Sequence, residues 1–203
     1  MKTILFFFCL VNLIGFCLVA NAETESFAEL QTVFDQSIDR CRTLPQNVLP
    51  LYIQSVEWNS PDRAVGVIKA KDTNAQVRLN GRLEDIFKDS LKNAFSKCGF
   101  KLSESSSNAV VIKASIKDFY VKAANDGLVG KSTGSVDLTL TYTKANAEQY
   151  ATSQHSFETE YKAGPSRKLK RLEKILNQLL VDVINDVAFS ETVYRQIERM
   201  SKD

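Results

Sequence analysis

The chain has 203 residues, 44% of them hydrophobic and 25% charged, which is the composition of an ordinary globular protein rather than a disordered one. Its 26 basic residues nearly balance 24 acidic ones, so no strong field draws in nucleic acid, and no nucleic-acid partner is expected. A single histidine rules out a metal site built from several imidazoles.

Residues 1–22 read as a signal peptide. Lys2 precedes the apolar run "ILFFFCLVNLIGFCLV", and Ala20-Asn21-Ala22 puts small residues where a signal peptidase pocket accepts them. The run is shorter than the ~20 apolar residues of a spanning helix, and Asn12 interrupts it. Cleavage before Glu23 and export from the cytosol follow, which separates the chain from cytosolic ATP. Cys9 and Cys17 leave with the signal peptide, so Cys41 and Cys98 remain as a possible disulfide. Cys98 also fits the apolar stripe of a helix, where a free thiol behaves as a small buried hydrophobe.

Phe27, Leu30, Phe34, Ile38 and Cys41 recur at helical spacing, which predicts a helical extension over 23–45, ahead of a single domain over 46–203. Pro45, Pro50 and Pro61 make 45–64 irregular, although "LYIQSVEW" within it could pair as an edge strand, with Trp58 as a packing residue. "AVGVIKA", 64–70, reads as the first central strand. In "LEDIFKDSLKNAFSKCGF", Leu83, Ile86, Phe87, Leu91, Ala94, Phe95 and Cys98 trace one helical stripe. Gly99 ends it in a left-handed position with Phe100 folded back as a hydrophobic cap.

Three strands follow. In "NAVVIKASIKDFYV" the apolar alternation shifts near Asp118, which predicts a bulge, and "SVDLTLTYT" alternates cleanly, with one wet face. "YATSQHSFETEY" is weaker and belongs toward a sheet edge. Between the first two lies "NDGLVGKSTGS", whose Gly-Lys-Ser resembles the end of a phosphate-binding loop. That loop needs a glycine where Asn125 stands, and a helix rather than a strand after it. The segment therefore reads as a hairpin tip, with Asn125, Asp126, Gly127, Gly130, Lys131 and Gly134 as a candidate interaction hairpin. Gly164-Pro165-Ser166 starts a final helix, along which Leu169, Leu172, Leu176, Leu179, Leu180, Val183 and Val187 form the stripe. Beyond Asp186 the pattern drifts, and the helix continues or breaks at Ser190. "RKLKR", 167–171, could hold an anionic membrane or partner but reads as a solvated face, so peripheral membrane association is not favoured.

This order predicts an α+β fold, a mostly antiparallel sheet of about four strands with two long helices packed on one face. From Leu83 onward the chain resembles the YajG-like bacterial envelope lipoproteins in the helix ending "SKCGF", the alternating hairpin, the strand "HSFETEY" and the final amphipathic helix. The resemblance implies a Gram-negative envelope location and assigns no catalysis. A lipidated cysteine follows a small residue, whereas Cys17 follows Phe16. A soluble periplasmic form is thus expected, with an outer-membrane lipoprotein as the alternative.

Any Ser-His-Asp or Cys-His set must pass through His155, which shares a strand face with Ser153 and Phe157 and reads as a packed or edge residue. Asp137, Glu158 and Glu160 could meet across the sheet as an acid-base pair, but such residues normally dress a solvated face. The expectation is a non-enzymatic protein with no cofactor that binds another envelope component through an open sheet edge or the hairpin at 125–134. The alternative is a small-ligand or lipid carrier with an apolar pocket between helices and sheet.

Overall fold

The computed structural model describes residues 25–30, 40–44, 47–69, 74–126, 129–145, 150–163 and 168–202. Seven strands, β1 (Ser26–Ala28), β2 (Leu51–Trp58), β3 (Gly66–Lys69), β4 (Asn74–Leu79), β5 (Val110–Asp126), β6 (Val129–Lys144) and β7 (Tyr150–Ala163), form one sheet in the order β1-β4-β3-β5-β6-β7. β5 is long enough to take two neighbours on one side, β2 along 110–116 and β3 along 121–123, both parallel to it. β3–β4, β5–β6 and β6–β7 pair antiparallel, and β1 lies parallel to β4. Helices α1 (Leu83–Lys97), α2 (Lys168–Phe189) and α3 (Glu191–Lys202) cover one face.

The alternation of β5 decides which face that is. Val110, Ile112, Ala114 and Ile116 are buried and Lys113 and Lys117 exposed; after a register shift between Ile116 and Asp118, the buried set moves to Phe119, Val121 and Ala123. One extra residue in a period-two pattern makes this switch necessary if the same face is to stay in the core. β6 answers with buried Val136, Leu138, Leu140 and Tyr142. The stripe of α2 (Leu172, Ile175, Leu176, Leu179, Leu180 and Val183) closes over them, each side chain contributing about 1.5–3 kcal/mol by leaving water.

The helix ends follow from local chemistry. Gly99 takes φ 86°, its N–H donates to the Ser96 carbonyl, and the Phe100 N–H donates to the Phe95 carbonyl at 3.0 Å. The two phenyl rings then meet edge to face with centroids 5.4 Å apart, the hydrophobic contact of a Schellman cap. Cys98 beside this cap is joined to Cys41, closing a loop of 57 residues, a constraint worth about 4 kcal/mol in unfolded-chain entropy.

The expected sheet of about four mostly antiparallel strands under two long helices is therefore incorrect: the sheet has seven strands and is mixed, and three helices pack on it. β1 occupies the start of the expected helical extension; Phe27 is 55% exposed and Ala28 buried, and the backbone pairs with β4 instead of coiling. Phe34 and Ile38 lie outside the described residues. In β4, "NAQVRL", only Val77 is fully buried, so no apolar alternation marks it in the sequence. The parallel partnership of β2 with β5 depends on residues more than fifty positions apart, which periodicity cannot register. The last helix breaks at Ser190, and the helix start at 164–166 lies outside the described residues.

Two outcomes follow from this packing. A Cβ at Gly134 in β6 would lie 2.8 Å from side-chain carbons of Ile175 and Leu179, so Gly134→Val should cost about 1–3 kcal/mol in urea unfolding. Arg63 Nη2 donates to both oxygens of Glu84 at 2.7 and 2.8 Å. Burial by itself would raise the Glu84 carboxyl, but a backbone hydrogen bond and the Arg63 and Arg82 charges outweigh it and hold the group below its ordinary value. A depressed carboxyl stabilises the fold above its unfolded value of 4.5 and ceases to do so as pH falls through the folded value. Glu84→Gln should thus lose about 1 kcal/mol at neutral pH, where half of Arg63 is in solvent, and the gap to wild type should close in melts run progressively below pH 4.5.

Candidate functional site

The hairpin at 125–134 is mostly strand. Asn125 and Asp126 pair with Gly130 and Val129, while Gly127 lies outside the described residues. Gly130 and Gly134 face α2: a Cβ at Gly130 would sit 2.1 Å from Arg171 Nη1. These glycines let the helix approach the sheet, and Lys131 projects to the opposite side, where it pairs with Glu160 at 3.1 Å. Lys131 and the buried Ser132 therefore cannot converge on one phosphate, as consecutive strand residues point to opposite faces.

On the helix side of the edge strand, the sequence hides a constellation that the fold assembles. Tyr142 Oη lies 2.9 Å from Ser153 Oγ, Ser153 Oγ lies 2.9 Å from His155 Nε2, and His155 Nδ1 lies 2.5 Å from Asp186 Oδ2. With the Asp186 carboxylate accepting from Nδ1–H, Nε2 is placed to accept from Ser153 Oγ–H, whose oxygen accepts from Tyr142. Burial pushes the Tyr142 phenol far above its ordinary value, and the Ser153 hydrogen bond offsets a small part of that. This connectivity is that of a Ser-His-Asp triad, but its burial runs the wrong way. Asp186 is 46% exposed in its side chain, while Ser153 points into the core beside Tyr142, which has no exposed surface. A nucleophile must meet substrate at an oxyanion pocket, with its carboxylate sheltered behind it. Here the polar chain instead ties β7 to the C-terminal turn of α2. His155 was recognisable as a packed residue, but Asp186, on another element, had no signal to connect it.

A cleft of about 360 Å³ opens at this polar chain, lined by Ser153, His155, Asp186, Ser190 and Thr192, and two more lie on the helix-free face. A cleft of about 580 Å³ is lined by Tyr120, Lys122, Thr133, Ser135, Glu158 and Glu160. A neighbouring one of about 300 Å³ shares Tyr120 and extends over Asp62, Asn74 and Gln76. Burial first, then the Asp118 and Asp62 carboxylates, raise the Tyr120 phenol, so it stays neutral as a donor at the centre of the groove. Glu160 is held below its ordinary value by its hydrogen bond from Lys131, with the Lys162 charge adding to it. Asp137 accepts from Ser156 Oγ at 2.8 Å, while Glu158 and Glu160 both line the larger cleft, Glu160 paired with Lys131. Beside this groove runs β7, which closes the sheet order and has no strand on its outer side among the described residues.

The sequence profile of a family described as uncharacterised lipoprotein matches residues 60–197. No curated protein matches the chain. The crystal structure of a protein from Xanthomonas campestris, from a family of unknown function, is similar at TM-score 0.52 and 11% identity, covering 87% of this chain and 99% of its own. A neuraminyllactose-binding hemagglutinin homologue from Helicobacter pylori is similar at TM-score 0.45 and 16% identity, covering 86% and 99%. The first likeness is one of fold.

His155→Phe should leave the buried Ser153 hydroxyl without its His155 partner and cost about 1–3 kcal/mol in urea unfolding. A fluorophosphonate probe should leave Ser153 unmodified; covalent labelling at Ser153 that is lost in His155→Phe would reinstate catalysis.

Proposed function

The chain belongs to the uncharacterised lipoprotein family, and from that premise we propose that it is an exported envelope protein that binds an extended segment of another envelope component along β7, without catalysis. Membership in a lipoprotein family implies an envelope location, and the apolar run before Glu23 supports export. One observation carries the reading: β7 is a 14-residue strand with one edge of its backbone unclaimed among the described residues, lying against a polar cleft on the helix-free face. An added strand gains main-chain hydrogen bonds from such an edge, and alternate side chains reach the groove beside it. Thr152, Gln154 and Ser156 on that strand are exposed and uncharged, so nothing there repels an incoming backbone.

The alternative carrier reading has less support. The space between helices and sheet is filled by side chains such as Leu138, Leu140, Leu176 and Leu179, all without exposed surface. A photo-crosslinking residue placed at Gln154 should capture an envelope protein in living cells, while the same residue at Asn93 on the exposed side of α1 should not. Equal capture from both positions, or none at Gln154, would contradict binding at the edge.

A further inference from the structure

The cleft of about 360 Å³ beside the polar chain is touched by Thr152, Ser153, Gln154 and His155 in succession. Consecutive strand residues point to opposite faces of a sheet, so a pocket that meets four in a row opens at the edge of the strand, where unclaimed backbone groups point. β6 occupies the other side of these residues, with Thr141, Leu140, Thr139 and Leu138 opposite them, which makes the edge concerned the outer one. The far wall is Asp186 in the last turn of α2, with Ser190 and Thr192 at the start of α3. Asp186 Oδ2 takes the hydrogen bond from His155 Nδ1, while Oδ1 receives none among the described residues, and the side chain is 46% exposed. Apart from His155, no basic side chain lines this pocket. The charges around it are otherwise engaged: Asp182 accepts from Gln178, and Glu191 is held by both Arg42 and Arg195. Lys162 and Lys174 lie at the Tyr161 end of β7, beyond Glu158 and Glu160.

We propose that this pocket selects the partner that adds to β7, by taking a lysine or arginine side chain of the incoming strand whose head group donates to Asp186 Oδ1. The inference rests on the β7 reading above and adds to it the chemistry of the partner, an extended segment with a basic residue turned toward α2. A strand that pairs with β7 lies about 4.8 Å from it, so the side chain it turns to the helix side next to His155 starts inside the pocket. An ammonium offers three donors and a guanidinium five, enough for the open carboxylate oxygen and for the hydroxyls of Ser190 and Thr192. On the opposite face Thr152, Gln154 and Ser156 are uncharged, so the residue entering the pocket carries the selection by charge over this half of the strand. Backbone pairing then supplies affinity, and the pocket supplies specificity.

The test uses the full chain as isolated from cells and fluorescein-labelled seven-residue peptides of alternating threonine and valine, blocked at both ends. One carries lysine at its centre, a second methionine, which has similar length without charge, and a third glutamate. By fluorescence anisotropy the lysine peptide should bind roughly fivefold more tightly than the methionine peptide at low salt, the scale of one half-exposed ion pair, and the preference should fade as salt is added. Asp186→Asn should remove the preference and leave the affinity of the methionine peptide unchanged. Thr192→Lys, which keeps the His155–Asp186 pair, should also remove it by filling the pocket with a cation of its own. Asp182→Asn, one turn earlier on α2 and outside the pocket, should keep it. Equal binding of the lysine and methionine peptides, tightest binding of the glutamate peptide, or a lysine preference that survives both Asp186→Asn and Thr192→Lys would overturn the pocket assignment and leave β7 standing as the binding edge. Failure of all three peptides to bind would instead overturn the β7 reading, and this inference with it.

Discussion

The close seating of α2 on β6 is the contact on which the rest of the molecule depends. Strands β5, β6 and β7 are longer than the usual five or six residues, and the inner faces of β5 and β6 are apolar along 110–116, 119–123 and 136–142. A surface of that length can be covered only by a helix lying close along it. Gly130, Ser132 and Gly134 at the upper end of β6 provide the room, because side chains of Arg171, Ile175 and Leu179 occupy the space that larger residues would need. The segment that looked like a phosphate loop is thus a helix seat. Glycines serve both tasks for the same reason, which is that something must approach the backbone closely.

Much of this was legible in the sequence where a single element carried its own pattern. α1 and its glycine cap, the bulge near Asp118, the alternating β6 and the edge position of β7 all follow from local periodicity and turn chemistry. The parts that were not legible depend on partners distant in the chain. Leu51–Trp58 acquires its place by lying parallel to β5, and Ser26–Ala28 becomes a strand only because β4 offers an edge, against a helical spacing of Phe27 and Leu30. The same holds at the candidate site. His155 was visible as the sole histidine, yet its role depends on Asp186 in α2 and on Tyr142 across the β6–β7 pair, neither of which its neighbours in sequence announce.

The polar chain from Tyr142 to Asp186 and the edge of β7 are physically linked. An edge strand with a free backbone side is prone to fray, and β7 is fastened from the inner face by Ser153 and His155 to the end of α2 and by the Tyr161–Lys174 contact to its beginning. The disulfide between Cys41 and Cys98 ties the segment before β2 to the end of α1, next to the junction of α2 and α3. Both devices hold the helix layer against the sheet, and they leave the outer edge and the polar face available.

β7 is a firmly held strand whose outer edge carries no partner strand among the described residues. Residue-resolved amide hydrogen exchange of the isolated chain tests it most directly. Strong protection is expected along β6 and at every second amide of β7, with the intervening β7 amides exchanging as freely exposed groups do. Uniform protection of β7 would contradict it, because the edge would then already be covered, whereas uniform loss would show that β7 is not held at all.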